Sequence, residues 1–105
     1  MRDWLMMAPL SGDDVLDIVA RYYGVLPADL MANRRPAELV SARQLAMWLC
    51  SKLLGWSSVR IGRALNRDHT TVLHGIRRID DRLNGRNPND VWVEILKFQH
   101  DHGSF

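Results

Sequence analysis

The sequence predicts an all-α domain of about five to six helices, organised around a helix-turn-helix. Three observations lead there. Apolar residues recur at three- and four-residue intervals through most of the chain, the period of a helix with one buried face. No run alternates polar and apolar residues as a half-buried strand would, and no internal repeat is present. The stretch Arg67-Asp68-His69-Thr70-Thr71-Val72-Leu73-His74 opens a helix with a polar tip and an apolar back.

Taken in order, residues 1–12 form an N-terminal arm without a clear period. Trp4, Leu5 and Met7 in it either dock on the core or reach a partner. The domain proper spans residues 13–100, and residues 101–105 are a fraying tail. Ser11 caps the first helix, with Asp14 three residues on in a capping-box position. Val15, Ile18, Val19 and Tyr22 make its buried stripe, and Gly24 ends it with a positive φ. Pro27-Ala28-Asp29-Leu30 reads as one short turn of helix, with Pro27 early in it. Asn33-Arg34-Arg35-Pro36 is a basic loop in which Pro36 restricts Arg35 to extended geometry. An extended arginine beside a helix-turn-helix suits a minor groove, where A·T-rich sequence concentrates negative potential. A solvated loop with loose phosphate contacts is the alternative.

The longest helix is expected from Leu39 or Ser41 to Leu54, with Ala42, Leu45, Ala46, Leu49 and Leu53 on its core side. Arg43 and Gln44 fall near its N-terminal end, where backbone N–H groups and the helix dipole favour a phosphate. Trp48 lies off the stripe and reads as a packing residue against another helix. Gly55 closes this helix and Ser57 caps the next, which runs to about Leu65 with Ile61, Ala64 and Leu65 on its apolar side. Asn66 and Arg67 leave room only for a tight turn. Asp68 is then the N-cap of the following helix, its carboxylate expected to accept from a free N–H of the first turn. Val72, Ile76, Ile79 and Leu83 share one face of that helix, and Thr70, His74, Arg77 and Arg78 the opposite one. A buried stripe behind a polar, basic front is what a DNA recognition helix requires. On pattern alone, an ordinary helical hairpin with a solvated basic face competes with that reading. Asn84-Gly85-Arg86-Asn87-Pro88 is a turn cluster, and Pro88 opens a final helix through about His100. Val91, Ile95 and Phe98, with Trp92 and Leu96, give it a broad apolar face that covers the core or pairs with another protein.

Composition sets the class. A chain of 105 residues, 47% hydrophobic and 25% charged, suffices for one domain with a modest core. Its one cysteine, Cys50, permits no internal disulfide, fits a reducing cytoplasm, and sits in an apolar run as a buried structural thiol. The apolar run at Met6-Met7-Ala8 is too short for a signal peptide or a membrane span. The net charge of +2 hides an asymmetry: residues 34–79 hold nine Lys or Arg against Glu38 and Asp68, while the remainder hold five basic and ten acidic side chains. A basic middle neutralises phosphates and releases counterions, which drives salt-sensitive binding to nucleic acid. Charges that scatter over the folded surface are the alternative.

Catalysis finds no support. No G-x-x-x-x-G-K-[ST] loop is present to cradle a nucleotide phosphate. His69 and His74 are five residues apart, off the shared helical face a metal pair needs. Cys50 has no neighbouring base. No enzyme activity, metal or cofactor is expected.

The octapeptide from Arg67 to His74 resembles the signature of the C-terminal DNA-binding domain of the bacterial chromosomal replication initiator, DnaA. The likeness continues elsewhere in the same order. Ile18-Val19-Ala20-Arg21-Tyr22-Tyr23-Gly24-Val25 resembles the family's first helix and its exit. Asp29-Leu30 and Arg34-Arg35 keep the family's order, Ala42-Arg43-Gln44-Leu45-Ala46-Met47 resembles the start of its long helix, and Ser57 with Ile61-Gly62 its first motif helix. The resemblance spans about residues 13–83. It implies a fold of the Trp-repressor-like, DnaA C-terminal type, with its helix-turn-helix in the major groove of a DnaA box, a short asymmetric A·T-rich element. Arg35 matches the arginine that enters the minor groove, and Asp68, His69, Thr70 and Thr71 match the major-groove readers. Arg43 and Gln44 match phosphate contacts at the long helix, and Arg34, Lys52, Ser58, Arg67, His74 and Arg77 complete the expected phosphate set.

Departures from the family are specific. The turn before Asp68 reads Leu65-Asn66-Arg67 where the family has a glycine pair before the arginine, so it is shorter by one residue and a different helix angle is expected. Arg60 stands where the family often has an acid, which weakens a cap and adds positive charge. Ser51 and Leu54 replace polar or basic contacts, with Lys52 as the compensating neighbour. Trp48, Trp56 and Trp92 add bulk. Nothing in these residues resembles the initiator's ATPase domain, and the unrelated residues before Ser11 favour a free-standing homologue over a piece of a longer initiator. Two function classes follow from the resemblance. One is a module that binds double-stranded DNA at DnaA boxes as a monomer, acts in replication initiation or its regulation, and works in the cytoplasm at the nucleoid. The other is a protein-interaction module that binds the full-length initiator, DnaA, or another replication protein through the arm and the final helix.

Overall fold

A reciprocal capping box opens the first described element: Ser11 Oγ accepts from Asp14 N–H at 3.3 Å, and Asp14 Oδ2 accepts from Ser11 N–H at 3.1 Å. The computed structural model describes residues 11–101. Most of the expected arm, residues 1–10, and of the expected tail, residues 102–105, lies outside the described residues. Six helices follow in order: α1 (Gly12–Tyr23), α2 (Pro27–Met31), α3 (Ala37–Leu54), α4 (Ser58–Leu65), α5 (His69–Leu83) and α6 (Pro88–Asp101). No strand occurs among the described residues. The all-α class and the helix-turn-helix, formed by α4 and α5, are as the sequence predicts.

The helix α3 is the axis of the domain. It packs against all five of the others, and residues 45–50 are buried without a break. The expected one-sided stripe on this helix is therefore corrected. A helix surrounded by neighbours is apolar all round, which explains why Met47, Trp48 and Cys50 are as buried as Leu45 and Leu49. The helix also starts earlier than Leu39. Pro36 lacks an N–H but has a carbonyl, and that oxygen accepts from Leu39 N–H at 3.0 Å and Val40 N–H at 3.1 Å. Proline is thus compatible with the N-cap position, and helix begins at Ala37.

Smaller corrections follow the same logic. In α1 the buried positions are Val15, Leu16, Val19 and Ala20, while Tyr22 is exposed and meets Phe98 edge-on at 5.0 Å. In α6, Val91, Trp92, Ile95 and Leu96 are buried against α1 and α3, so its apolar face covers the core; Phe98 stays outside. Gln99 is fully buried beside them, its Nε2 donating to the Ile18 carbonyl at 2.5 Å. No described helix is long and apolar enough to cross a membrane.

Trp48 fixes the crossing of α3 and α5. Its indole Nε1 donates to Asp80 Oδ1 at 2.7 Å, and Lys52 Nζ stands 3.6 Å from Asp80 Oδ2. Asp80→Ala removes the acceptor of an otherwise buried indole and is expected to cost about 1–3 kcal/mol in urea unfolding. Asp80→Asn keeps an oxygen there and is expected to cost less. Burial raises the Cys50 thiol to about 12. Below the unfolded thiol's pKa the two states bind the same proton. Above it the unfolded chain releases that proton first, so stability falls as pH rises from about 9 towards 12. Cys50→Ala should abolish that component of the pH slope, and native Cys50 should resist thiol reagents at pH 8 until the chain is unfolded.

Candidate nucleic-acid interface

The turn between α4 and α5 is built from three local features. Ser57 Oγ accepts from Arg60 N–H at 3.2 Å and starts α4. Asn66 ends it in the left-handed region, φ 55° and ψ 48°, where asparagine is tolerated better than other side-chain-bearing residues. Arg67 N–H then bonds back to the Gly62 carbonyl at 2.8 Å. The departure from a glycine pair is absorbed here: one asparagine supplies the positive φ, and Gly62 supplies the room. A Cβ on Gly62 would stand 2.4 Å from the Arg67 carbonyl oxygen.

Beyond the turn, α5 buries Val72, Gly75 and Ile79 and half-buries Ile76 and Leu83. Gly75 lets it approach α3 closely, since a Cβ there would stand 2.6 Å from Met47 Sδ. Asp68, His69, Thr70, Thr71, His74, Arg77 and Arg78 are all exposed. Asp68 occupies the N-cap position, but its carboxylate makes no capping hydrogen bond. That expectation is corrected: Asp68 Oδ1 lies 3.4 Å from His69 Nδ1 instead, so the first-turn N–H groups carry no side-chain cap from Asp68.

A concave notch of about 500 Å³ separates the basic loop from this tip, with Arg35, Gln44, Arg67, Asp68 and Thr71 on its walls. Gln44 and Thr71 also border a second depression with His74 and Arg77. Arg34, Arg35 and the tip residues are exposed, and Ser58 is half-buried at the start of α4. The fold therefore gathers Arg35, Gln44, Arg67, Asp68, Thr71, His74 and Arg77 along one continuous surface. Lys52 is set apart from these two depressions by its pairing with Asp80. Sequence reasoning missed Val59 and Leu73, which are exposed apolar side chains on the two motif helices. Val59 borders a groove with Arg63, Asp68 and His69. The signal was available: both fall outside the apolar stripes of their helices.

Arg43 is corrected. With α3 starting at Ala37 it is the seventh residue of the helix, beyond the free first-turn N–H groups. It is only 4% exposed. Its Nε donates to the Leu30 carbonyl at 2.8 Å, and its Nη2 to those of Asp29 at 3.1 Å and Ala32 at 2.8 Å. These are the carbonyls that end α2, so the guanidinium caps a helix rather than facing a phosphate. Burial first, then the charges of Arg67 and Arg35, lower its pKa from the usual arginine value. Arg67 has a structural duty as well. Its Nη1 donates to the Leu65 and Asn66 carbonyls at 3.1 and 2.9 Å, and its Nη2 to the Ala32 carbonyl at 2.6 Å.

Comparison with known proteins decides the family. The family described as the bacterial dnaA protein helix-turn-helix matches residues 12–79, which include α1, the basic loop, α4 and α5 as far as Ile79. The chain belongs to this family. The chromosomal replication initiator protein DnaA of Xanthobacter autotrophicus is 45% identical over 86 residues, covering 81% of this chain and 17% of that protein. The initiator of Agrobacterium fabrum is 44% identical over 86 residues, 81% of this chain and 18% of its own length. The crystal structure of a DNA replication initiation factor superposes with a TM-score of 0.66 at 34% identity, covering 93% of this chain and 28% of that one. The chain thus spans less than a fifth of these curated relatives.

Because a Cβ on Gly62 would meet backbone, not a flexible side chain, Gly62→Ala should displace the turn. The expected cost is about 1–3 kcal/mol, read as a lower thermal midpoint. An unchanged midpoint would mean that the turn relaxes freely.

Proposed function

We propose that this chain reads double-stranded DNA at DnaA-box-like sites and acts in replication initiation or its regulation. The observation that carries this is the single concave surface on which the Arg35 loop faces the open tip of α5. A helix of about 10–12 Å diameter fits a major groove about 12 Å wide. With α5 seated there, the Asp68 carboxylate accepts from a cytosine N4 amino group. The Thr70 and Thr71 methyls pack on thymine methyls, and the His69 ring meets a base edge. Arg35 enters the adjoining minor groove, favouring A·T sequence by its negative potential. Arg34, Gln44, Ser58, His74 and Arg77 hold phosphates on either side and set register, while Lys52 pairs with Asp80 outside the two depressions. The reader set is asymmetric, which suits one monomer on an asymmetric site, at the nucleoid in the cytoplasm.

The rival class, a module that binds the initiator without reading DNA, has less surface to use. The final helix commits Val91, Trp92, Ile95 and Leu96 to the core.

The test is binding to a DnaA-box duplex and to a scrambled duplex across a salt series. The slope reports phosphate contacts and the ratio reports base reading. Preference for the box is expected, and Arg35→Ala or Thr70→Ala should each reduce it by about 1–3 kcal/mol. Equal affinity for both duplexes would remove the reading. Capture of the initiator that survives nuclease and both substitutions would favour the rival.

A further inference from the structure

We infer that Arg43 and Arg67 are positioning residues that hold the Arg35 loop in register with the tip of α5 by converging on one backbone carbonyl, that of Ala32. The inference rests on the DNA-reading proposal and says how its two halves are kept together. Ala32 ends α2 in extended conformation, three residues before Arg35. Residues 33–36 are all exposed, so the loop has little packing of its own. Pro36 limits it on one side by serving as the N-cap of α3. On the other side, the Ala32 carbonyl accepts from Arg43 Nη2 at 2.8 Å and from Arg67 Nη2 at 2.6 Å.

The two guanidiniums come from different places. Arg43 belongs to α3, and its remaining bonds close the end of α2. Arg67 lies immediately before Asp68, and its remaining bonds close the end of α4. One carbonyl thereby joins the long helix, the basic loop and the helix-turn-helix turn. Arg35 stands three residues from that carbonyl along the chain, and Asp68 one residue from the arginine that grips it. A reader of two grooves needs this coupling, because base contacts tolerate only small displacements. Arginine is required at both positions because its planar fork reaches several carbonyls at once, which the single ammonium of lysine does not. A phosphate ligand would present its guanidinium to solvent; that of Arg43 borders the notch but is only 4% exposed, with its Nε and Nη2 committed to carbonyls.

The discriminating variant is Arg43→Lys in the full chain, which keeps the charge and removes the fork. Box and scrambled duplexes are titrated across salt, alone and combined with Arg35→Ala. We expect scrambled-DNA affinity and salt slope to match the wild type, and the box preference to fall by roughly five- to a hundredfold, the value of one good base contact. In the Arg43→Lys background, Arg35→Ala should cost less than about twofold more, since coupled residues are non-additive. Arg67→Lys should likewise lower the box affinity by more than the scrambled-DNA affinity, and that ratio, with its non-additivity toward Arg35→Ala, carries the test if Arg43→Lys does not fold. A salt slope reduced by about one in the charge-removing Arg43→Gln, with the box preference intact, would identify a phosphate ligand and overturn the inference. Equal weakening on both duplexes that tracks the folded fraction would show a purely structural role and also overturn it, as would additivity with Arg35→Ala. Absence of box preference in the wild type overturns the DNA reading itself, and is visible before any variant is compared.

Discussion

The domain turns on one solvent-edge carbonyl. A loop oxygen at the end of a five-residue helix is ordinarily an orphan that water satisfies. Here the Ala32 oxygen receives two charged donors from elements that are distant in sequence. Hydrogen bonds to charged groups contribute about 1.5–3 kcal/mol each, and a helix as short as α2 has little stability of its own. The basic loop therefore gains its position from guanidiniums rather than from apolar packing. That arrangement leaves every side chain of residues 33–36 exposed.

The rest of the architecture makes that meeting possible by bringing helices close. The approaches occur at small residues. Gly75 brings α5 onto Met47 of α3, and Gly62 brings the turn onto its own helix. At Gly12 a Cβ would come within 2.2 Å of the Trp56 ring. The tryptophans that depart from the family find ordinary employment in this scheme. Trp48 bonds Asp80, Trp56 lies against α1 and carries the Arg60 guanidinium 4.0 Å above its ring, and Trp92 is buried in the core. Bulk at these points fills volume next to glycine instead of obstructing the exposed tip.

Charge is distributed by the same division of labour. Several acids act locally: Asp14 in the α1 capping box, Asp29 accepting from Leu26 N–H, Asp80 holding α3 to α5, and Glu94 pairing with Arg86. The basic middle is left facing outward around the notch, except where Arg43 and Arg67 are turned onto carbonyls. Arg67 and Arg35 lie near enough to Arg43 to oppose its charge, so the notch is a place where an approaching polyanion finds a concentrated positive field.

The helices were legible from one dimension wherever the determinant is local. The Ser11 and Ser57 caps, the ends at Gly24 and Gly55 and the α5 stripe each depend on residues within a turn of one another, and all appear as expected. So does the family signature, because a motif is itself a local order of residues. What one dimension misplaced depends on partners many residues away. The roles of Arg43 and Arg67, and the all-round burial of α3 over residues 45–50, are set by contacts with α2, the turn and five neighbouring helices. The spacing of residues 67–79 alone determined which face of α5 is buried and which is open. Only the tertiary structure decided which arginines face outward, because an outward phosphate ligand and an inward carbonyl clamp use the same side chain, and the choice falls to the oxygens the fold brings within reach.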